Sequence, residues 1–439
     1  MSKSFISILG TNNYLECLHS FNGFISQRPV KYVQEDLIKF FCKDFDEHSE
    51  IRIFLTKEAK EKNWLNDGHR NKNNNVLHNK GLEDRLTELN IKAKIKAIDI
   101  NEGFTEKEIW DNFQKIYDTI SENEEVIVDI THSFRSLPML LITLLNYAKQ
   151  LKKIKVLGIY YAAFESLGTI QEVSKKEPEE RIVPILDLTS FSTLQDWTNA
   201  TFDFINNGNI QKLQNLIKQL NIKINSNIPS EKHLPDTVIK KLNKLVHNIA
   251  LCRGKELLDF DYDDLKNNVL SLKSKVTLPA FEYLIEEIEN KIKSFNNEVS
   301  DLILTIIQWC IEHNLFQQAI TILQEFTITL VLKDVNKEFS DKTFRTLVSQ
   351  AFSIKASNIG KEEWKEPAKN YQAEIENLLN NYYVIELYSH FNSLTSIRND
   401  VNHSGFLCGA STTESIKCRL KNIIESYQKI LANNAHQSL

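Results

Sequence analysis

Residues 1–190 are expected to form an α/β domain around a parallel, doubly wound sheet, and residues 191–439 an all-α half. Three observations point there. Through the first 190 residues, short apolar runs of strand length alternate with amphipathic stretches of helix length. From about Phe191 the apolar period becomes 3.6 residues and stays there, as in Leu213/Leu216/Ile217/Leu220 and Ile303/Ile306/Ile307/Cys310. Finally, 439 residues with 42% hydrophobic content are more chain than one core holds, which implies several folding units and excludes a disordered chain.

The elements follow in order. Phe5–Leu9 (FISIL) reads as a strand ended by Gly10, and Val33–Cys42 as an amphipathic helix. Ile51–Leu55 (IRIFL) is the second strand. Lys57–Leu65 has helical character, and Gly68–Asn79 is a polar, Asn-rich loop. Ile95–Ile100 is the third strand, followed by a helix from about Glu106 to Ile120. Val126–Ile130 (VIVDI) reads as a strand buried on both faces, and Leu137–Leu151 as a strongly apolar helix. Lys155–Tyr161 and Val183–Leu188 complete six strands. In the helical half a further division near residue 285 gives expected units 191–285 and 286–439. No repeat of 20–50 residues is present, which disfavours a solenoid.

Charge and cysteine content narrow the function. The net charge is −5, and residues 1–190 (26 basic, 29 acidic) and 191–439 (27 basic, 29 acidic) are both slightly acidic. Nucleic-acid contact therefore needs a local site rather than a bulk field. The six cysteines show no C-x-x-C pair, so a disulfide framework or zinc site is not expected and a reducing cytoplasm fits best. The first apolar run is too short and too abruptly polar for a signal peptide, and no stretch approaches the ~20 apolar residues of a membrane span. Arginine is scarce, 10 against 43 lysines, so each arginine merits attention.

In a doubly wound sheet, ligands bind at the carboxyl ends of the strands where strand order reverses. With an order of 3-2-1-4-5, strands one and four flank that crevice. The loops after them are Gly10-Thr11-Asn12-Asn13 and Thr131-His132-Ser133-Phe134-Arg135. Glycine permits close backbone approach, Ser133 or Ser136 can cap the following helix, whose free N–H groups attract phosphate, and Arg135 offers a planar fork. The plainer alternative is a capping serine beside surface residues. Neither G-x-G-x-x-G nor G-x-x-x-x-G-K-[ST] is present, which argues against a standard dinucleotide or nucleoside-triphosphate site.

Near the C-terminus, Arg398 and His403 form an R-x4-H pair with Asn399 between them, in a helix expected to end near Gly405. An imidazole exchanges protons near neutral pH and a guanidinium holds phosphate, a combination suited to metal-independent RNA cleavage by a 2′-hydroxyl. Such chemistry benefits from two proton-transfer groups, which a symmetric dimer would supply. A salt-bridged arginine, paired for instance with Asp400, beside a helix-capping histidine is the plainer alternative. No H-E-x-x-H or dense carboxylate cluster suggests a metal.

The segments Asp129–Met139 (DITHSFRSLPM), Phe5–Tyr14 (FISILGTNNY), Tyr32–Glu35 (YVQE), Glu58–Trp64 (EAKEKNW) and Gly158–Phe164 (GIYYAAF) resemble the CARF–HEPN ribonucleases of type III CRISPR systems. The resemblance implies a Rossmann-like CARF domain over 1–190 that dimerises and binds a cyclic oligoadenylate, cyclic tetra-adenylate being favoured as activator. It places ligand binding on Gly10, Thr11, Asn12, Asn13, Thr131, His132, Ser133, Phe134 and Arg135. It also implies a HEPN domain over 286–439 that cuts single-stranded RNA through Arg398, His403 and Asn399, with no catalytic cofactor. Two alternatives stand beside it: a ligand-regulated transcription regulator with a DNA-reading helical domain, and a CARF domain that degrades its own activator.

Overall fold

The computed structural model describes residues 2–132, 136–219, 233–276, 279–406 and 408–437, in two compact units, Met1–Gln195 and Asp196–Leu439. Among its described residues the first holds ten strands: β1 (Lys3–Leu9), β2 (Leu18–Phe21), β3 (Phe24–Ile25), β4 (Glu50–Leu55), β5 (His69–Arg70), β6 (Val76–Leu77), β7 (Lys94–Asp99), β8 (Glu125–Asp129), β9 (Lys155–Ala162) and β10 (Ile182–Asp187). Eight form one sheet in the order β3-β2-β10-β9-β8-β1-β4-β7, with β5 and β6 a separate hairpin.

The run β7-β4-β1-β8-β9 is parallel and realises the expected 3-2-1-4-5 order. Helices Val33–Phe41 and Leu82–Glu88 cover one face, burying Leu37, Leu82 and Leu86 against Phe5, Ile51 and Ile53. Helices Glu106–Thr119 and Ser136–Leu151 cover the other, where Ile116, Leu141 and Leu144 meet Ile6, Phe54 and Val128. The central strands are buried on both faces, which is why they read as continuous apolar runs rather than alternating ones. At the sheet edge, β7 exposes Lys94 and Lys96, a charged border that discourages further strand pairing.

Two features differ from the expected all-parallel sheet. The sixth predicted strand, β10, runs antiparallel to β9. Only short helical turns (Phe164–Leu167, Ile170–Val173, Pro178–Glu180) join them, and none is long enough to return the chain along the sheet for a parallel crossover. In addition, β2 pairs parallel with β10 and turns back into β3 through Asn22 and Gly23, both at positive φ. That Asn-Gly pair is the usual sign of a tight hairpin, but strands of four and two residues carry too little alternation to be read.

Among its described residues, the regular elements of the second unit are all helices. Helix Phe316–Asp334 is buried along most of its length and packs against Val299–Glu312, Lys342–Ser357 and Tyr382–Asn402. Thr327 Oγ1 and Tyr427 Oη, 2.9 Å apart, tie it to the last helix, Thr413–Gln437. The chain divides into its two compact units between Gln195 and Asp196, inside the helix Thr189–Asn207 that also contains the anticipated boundary at residue 190, and the helix Pro279–Ile292 spans residue 285. Among the described residues, no helix is long and apolar enough to cross a membrane.

A buried ion pair locks the sheet. Arg52 on β4 donates to both oxygens of Glu124 at 2.8 and 3.1 Å and to Glu50 at 2.8 Å. Arg52 and Glu124 are 3% and 1% exposed, so removing the guanidinium strands a buried carboxylate. Arg52→Met is expected to cost about 3–5 kcal/mol, read by urea titration of the N-terminal unit's transition. A loss below about 1 kcal/mol would mean that water reaches Glu124 in the variant.

Candidate functional site

Because β1 and β8 are adjacent and parallel, with Ser7 opposite Asp129, the loops that leave their carboxyl ends emerge side by side. Gly10, Thr11, Asn12 and Asn13 thus lie beside Thr131 and His132. Ser133, Phe134 and Arg135 lie outside the described residues.

The ring of Tyr14 stacks on His132, centroids 4.0 Å apart and 27° between planes. A Cβ at Gly10 would run into the Tyr14 hydroxyl, so glycine here makes room for that stack. Burial pushes the Tyr14 phenol up, with Asp129 adding to the effect. Burial also pushes the His132 imidazole down to about 3, reinforced by His19, so His132 is neutral at physiological pH.

Behind the loops is a layer of buried polar groups. Asp129, 1% exposed, accepts from the Ser7 hydroxyl at 2.7 Å, from Gln34 Nε2 at 3.3 Å and from the Thr131 N–H at 2.9 Å. Burial pushes its carboxyl up while the Thr131 and Ser7 donors pull it back. One carboxylate therefore joins β1, helix Val33–Phe41 and the β8 loop. Thr131 Oγ1 accepts from the Ala162 N–H at 3.0 Å, which fixes that loop to β9 as well.

The β1 loop is fixed by Asn63, which is fully buried. Its Nδ2 donates to the carbonyls of Gly10 and Asn12, both at 2.9 Å, and its Oδ1 lies 2.9 Å from His69 Nε2. Asn63 sits on a π-helical turn, Lys60–Trp64, a distortion that often accompanies functional positions. Lys31 Nζ donates to Asn13 Oδ1 at 2.9 Å. Burial holds the Lys31 ammonium below its ordinary range, with Arg85 pushing the same way. Tyr14, Asn63, Lys31 and Asp129 complete the site but were not assigned roles from sequence. Asn63 and Lys31 are remote in the chain, and only the fold brings them to the loop.

In the helical unit, Arg398 lies on helix Tyr382–Asn402 and its Nη1 donates to Gln324 Oε1 at 3.0 Å and Glu325 Oε1 at 3.3 Å. Its ionic partner is therefore Glu325. Asp400 instead accepts the Ser411 N–H at 2.7 Å, which holds that carboxyl below its usual range. His403 caps the helix and is exposed, as is Asn399. Ser404 and Gly405, both at positive φ, then turn the chain away. Five residues at ~100° each place Arg398 and His403 ~140° apart around the axis, so they occupy different faces of one helix.

Residues 20–165 match the CARF domain of the CRISPR system endoribonuclease Csx1. Over 206 residues the chain is 25% identical to CRISPR-associated protein MJ1674 of Methanocaldococcus jannaschii, a stretch that covers 46% of this chain and 28% of that protein.

The neutral imidazole has a pH signature. The folded protein takes up the His132 proton less readily than the unfolded chain, since about 3 lies below the ordinary 6.5. Its contribution to stability is fully present above about pH 6.5 and declines as pH falls towards 3. The His132 ring resonance is accordingly expected to stay flat in NMR between pH 5 and 8. A midpoint near 6.5 would show the ring to be solvated.

Proposed function

We propose that this chain, whose residues 20–165 match the CARF domain of the CRISPR system endoribonuclease Csx1, is a cyclic-oligoadenylate-activated endoribonuclease that cuts single-stranded RNA. The observation that carries the reading is a CARF domain in the same chain as an arginine and a histidine at a helix end, Arg398 and His403.

The two-loop site suits a phosphodiester ring. It offers loop amides at Gly10–Asn13, the flat face of the Tyr14–His132 stack for an adenine, and the Lys31 ammonium near a phosphate. A ring of four adenylates has a two-fold axis, and two copies of the site around that axis serve it evenly. The protein is then a homodimer acting in the cytoplasm, with cyclic tetra-adenylate as activator.

Cleavage needs the 2′-hydroxyl to attack the adjacent phosphorus. The new O2′–P bond forms as the P–O5′ bond breaks, one proton leaves O2′ and one reaches O5′, and the products are a cyclic phosphate and a free 5′-hydroxyl. Arg398 stabilises charge on the phosphoryl oxygens, and His403 moves protons. With the two side chains ~140° apart on their helix, one chain does not converge them on a single phosphate. A two-fold axis at this helix supplies two arginines and two imidazoles, one imidazole as base and the other as acid. Asn399, exposed beside Arg398, adds a polar contact to the RNA.

In EDTA, cyclic tetra-adenylate is expected to switch on cleavage of a fluorogenic single-stranded RNA. Arg398→Ala and His403→Ala should each lower the activated rate by about 10²–10⁴-fold with activator binding unchanged. Retained cleavage in both variants would reject these roles. Ligand-dependent DNA retention without RNA cutting would favour a transcription regulator. Gly10→Ala, which displaces Tyr14 from His132, should raise the activator concentration for half-maximal rate at least about tenfold without lowering the rate at saturation. Unchanged activator dependence would show that the stack does not face the ligand.

A further inference from the structure

Helix Phe316–Asp334 carries a polar pair, a buried Gln324 and a half-exposed Glu325. Gln324 is 6% exposed, and a buried amide is costly unless both of its ends are bonded. Its Nε2 donates to Thr395 Oγ1 at 2.8 Å and its Oε1 accepts from Arg398 Nη1 at 3.0 Å. Thr395 lies three residues before Arg398 on the same helix, so this amide reads two positions of the helix that carries the arginine.

Glu325 adds a second acceptor to the same nitrogen, Oε1 to Arg398 Nη1 at 3.3 Å. Its other oxygen, Oε2, is held by Arg345 Nη2 at 2.9 Å. Arg345 also donates to the Glu325 carbonyl at 3.0 Å, to Thr329 Oγ1 at 3.1 Å and to the Phe339 carbonyl at 3.0 Å. These bonds commit both of its terminal nitrogens, so Arg345 braces the carboxylate from behind.

The consequence lies in which edge of Arg398 is used. Both contacts go to Nη1, and among the described residues Nε and Nη2 have no partner. That is the edge through which a guanidinium grips a phosphate by two parallel N–H bonds. One carboxylate against two guanidiniums also leaves a net positive charge at the cluster.

Resting on the reading of Arg398 as the phosphate-stabilising residue of an RNase, we propose that Gln324 and Glu325 are positioning residues for RNA cleavage. They anchor Nη1 so that the Nε/Nη2 edge of Arg398 is presented to the scissile phosphate, with Thr395 and Arg345 holding the two acceptors in place. The arrangement orders the guanidinium before RNA arrives, so less side-chain freedom is lost in the transition state.

The experiment uses the full-length protein with saturating cyclic tetra-adenylate. Glu325→Ala, at a half-exposed position, is expected to lower kcat about 10–10²-fold while KM changes less than about threefold. Glu325→Gln, which keeps an oxygen facing Nη1, should return kcat to within about threefold of the parent. Gln324→Ala should behave like Glu325→Ala, with its thermal midpoint and activator affinity measured alongside.

The double variant gives the second readout. Glu325→Ala should lower the single-turnover rate when Arg398 is present and leave the residual rate unchanged in an Arg398→Ala background. Parental kcat in Glu325→Ala, or the same loss of rate with Arg398 absent, would overturn the proposal. Failure of the parent protein to cut RNA with any cyclic oligoadenylate would instead remove the RNase reading, and this inference with it. Normal parental cleavage beside an unaffected Glu325→Ala would remove the inference alone.

Discussion

Parallel pairing of β1 with both β4 and β8 is the constraint on which the N-terminal unit depends. A strand with parallel neighbours on both sides can be reached only through crossovers, and those crossovers carry helices onto both faces of the sheet. That accounts for the two core layers, one above and one below the same strands. It also brings the chain out of β1 and β8 at the same edge, where two loops far apart in sequence become neighbours. The site is a consequence of strand order, and its side chains refine what that order has already placed.

Both candidate sites use the same device. A buried amide side chain is fully bonded only if a particular residue stays in place. Asn63 holds the carbonyls of Gly10 and Asn12, and Gln324 holds Arg398 and Thr395. Leaving either amide unpaired in a packed interior costs about 1–3 kcal/mol, so the loop and the guanidinium are held by the stability of the core itself. Preorganisation of this kind suits sites that meet phosphate, where the orientation of a few N–H groups decides affinity. Asp129 extends the device by joining a strand, a helix and a loop through one carboxyl group.

Most of the parallel sheet was legible because each buried strand is a short apolar run bounded by polar turns. The switch to a 3.6-residue period near Phe191 likewise marked the helical unit. The antiparallel β10 was not legible as such, because strand direction leaves no trace in a six-residue run. It depends on how far the preceding short turns carry the chain. The β2–β3 hairpin was hidden by its brevity despite Asn22–Gly23. Of the candidate residues, Gly10, Thr11, Asn12, Asn13, Thr131 and His132 could be named because they interrupt apolar strands with polar loops. Tyr14 was visible in the same motif, but its stacking on His132 was not.

The sequence by itself determined the strand and helix periods, the two polar loops and the Arg398–His403 spacing, since these are properties of neighbouring residues. Only the tertiary structure decided that Asn63 closes the β1 loop, that Lys31 reaches Asn13, and that Arg398 pairs with Gln324 and Glu325 rather than with Asp400. Those partners are separated by 18 to 74 residues. Which polar groups meet across such distances depends on which helices pack together, and the packing is set by the whole apolar core rather than by any local run of sequence.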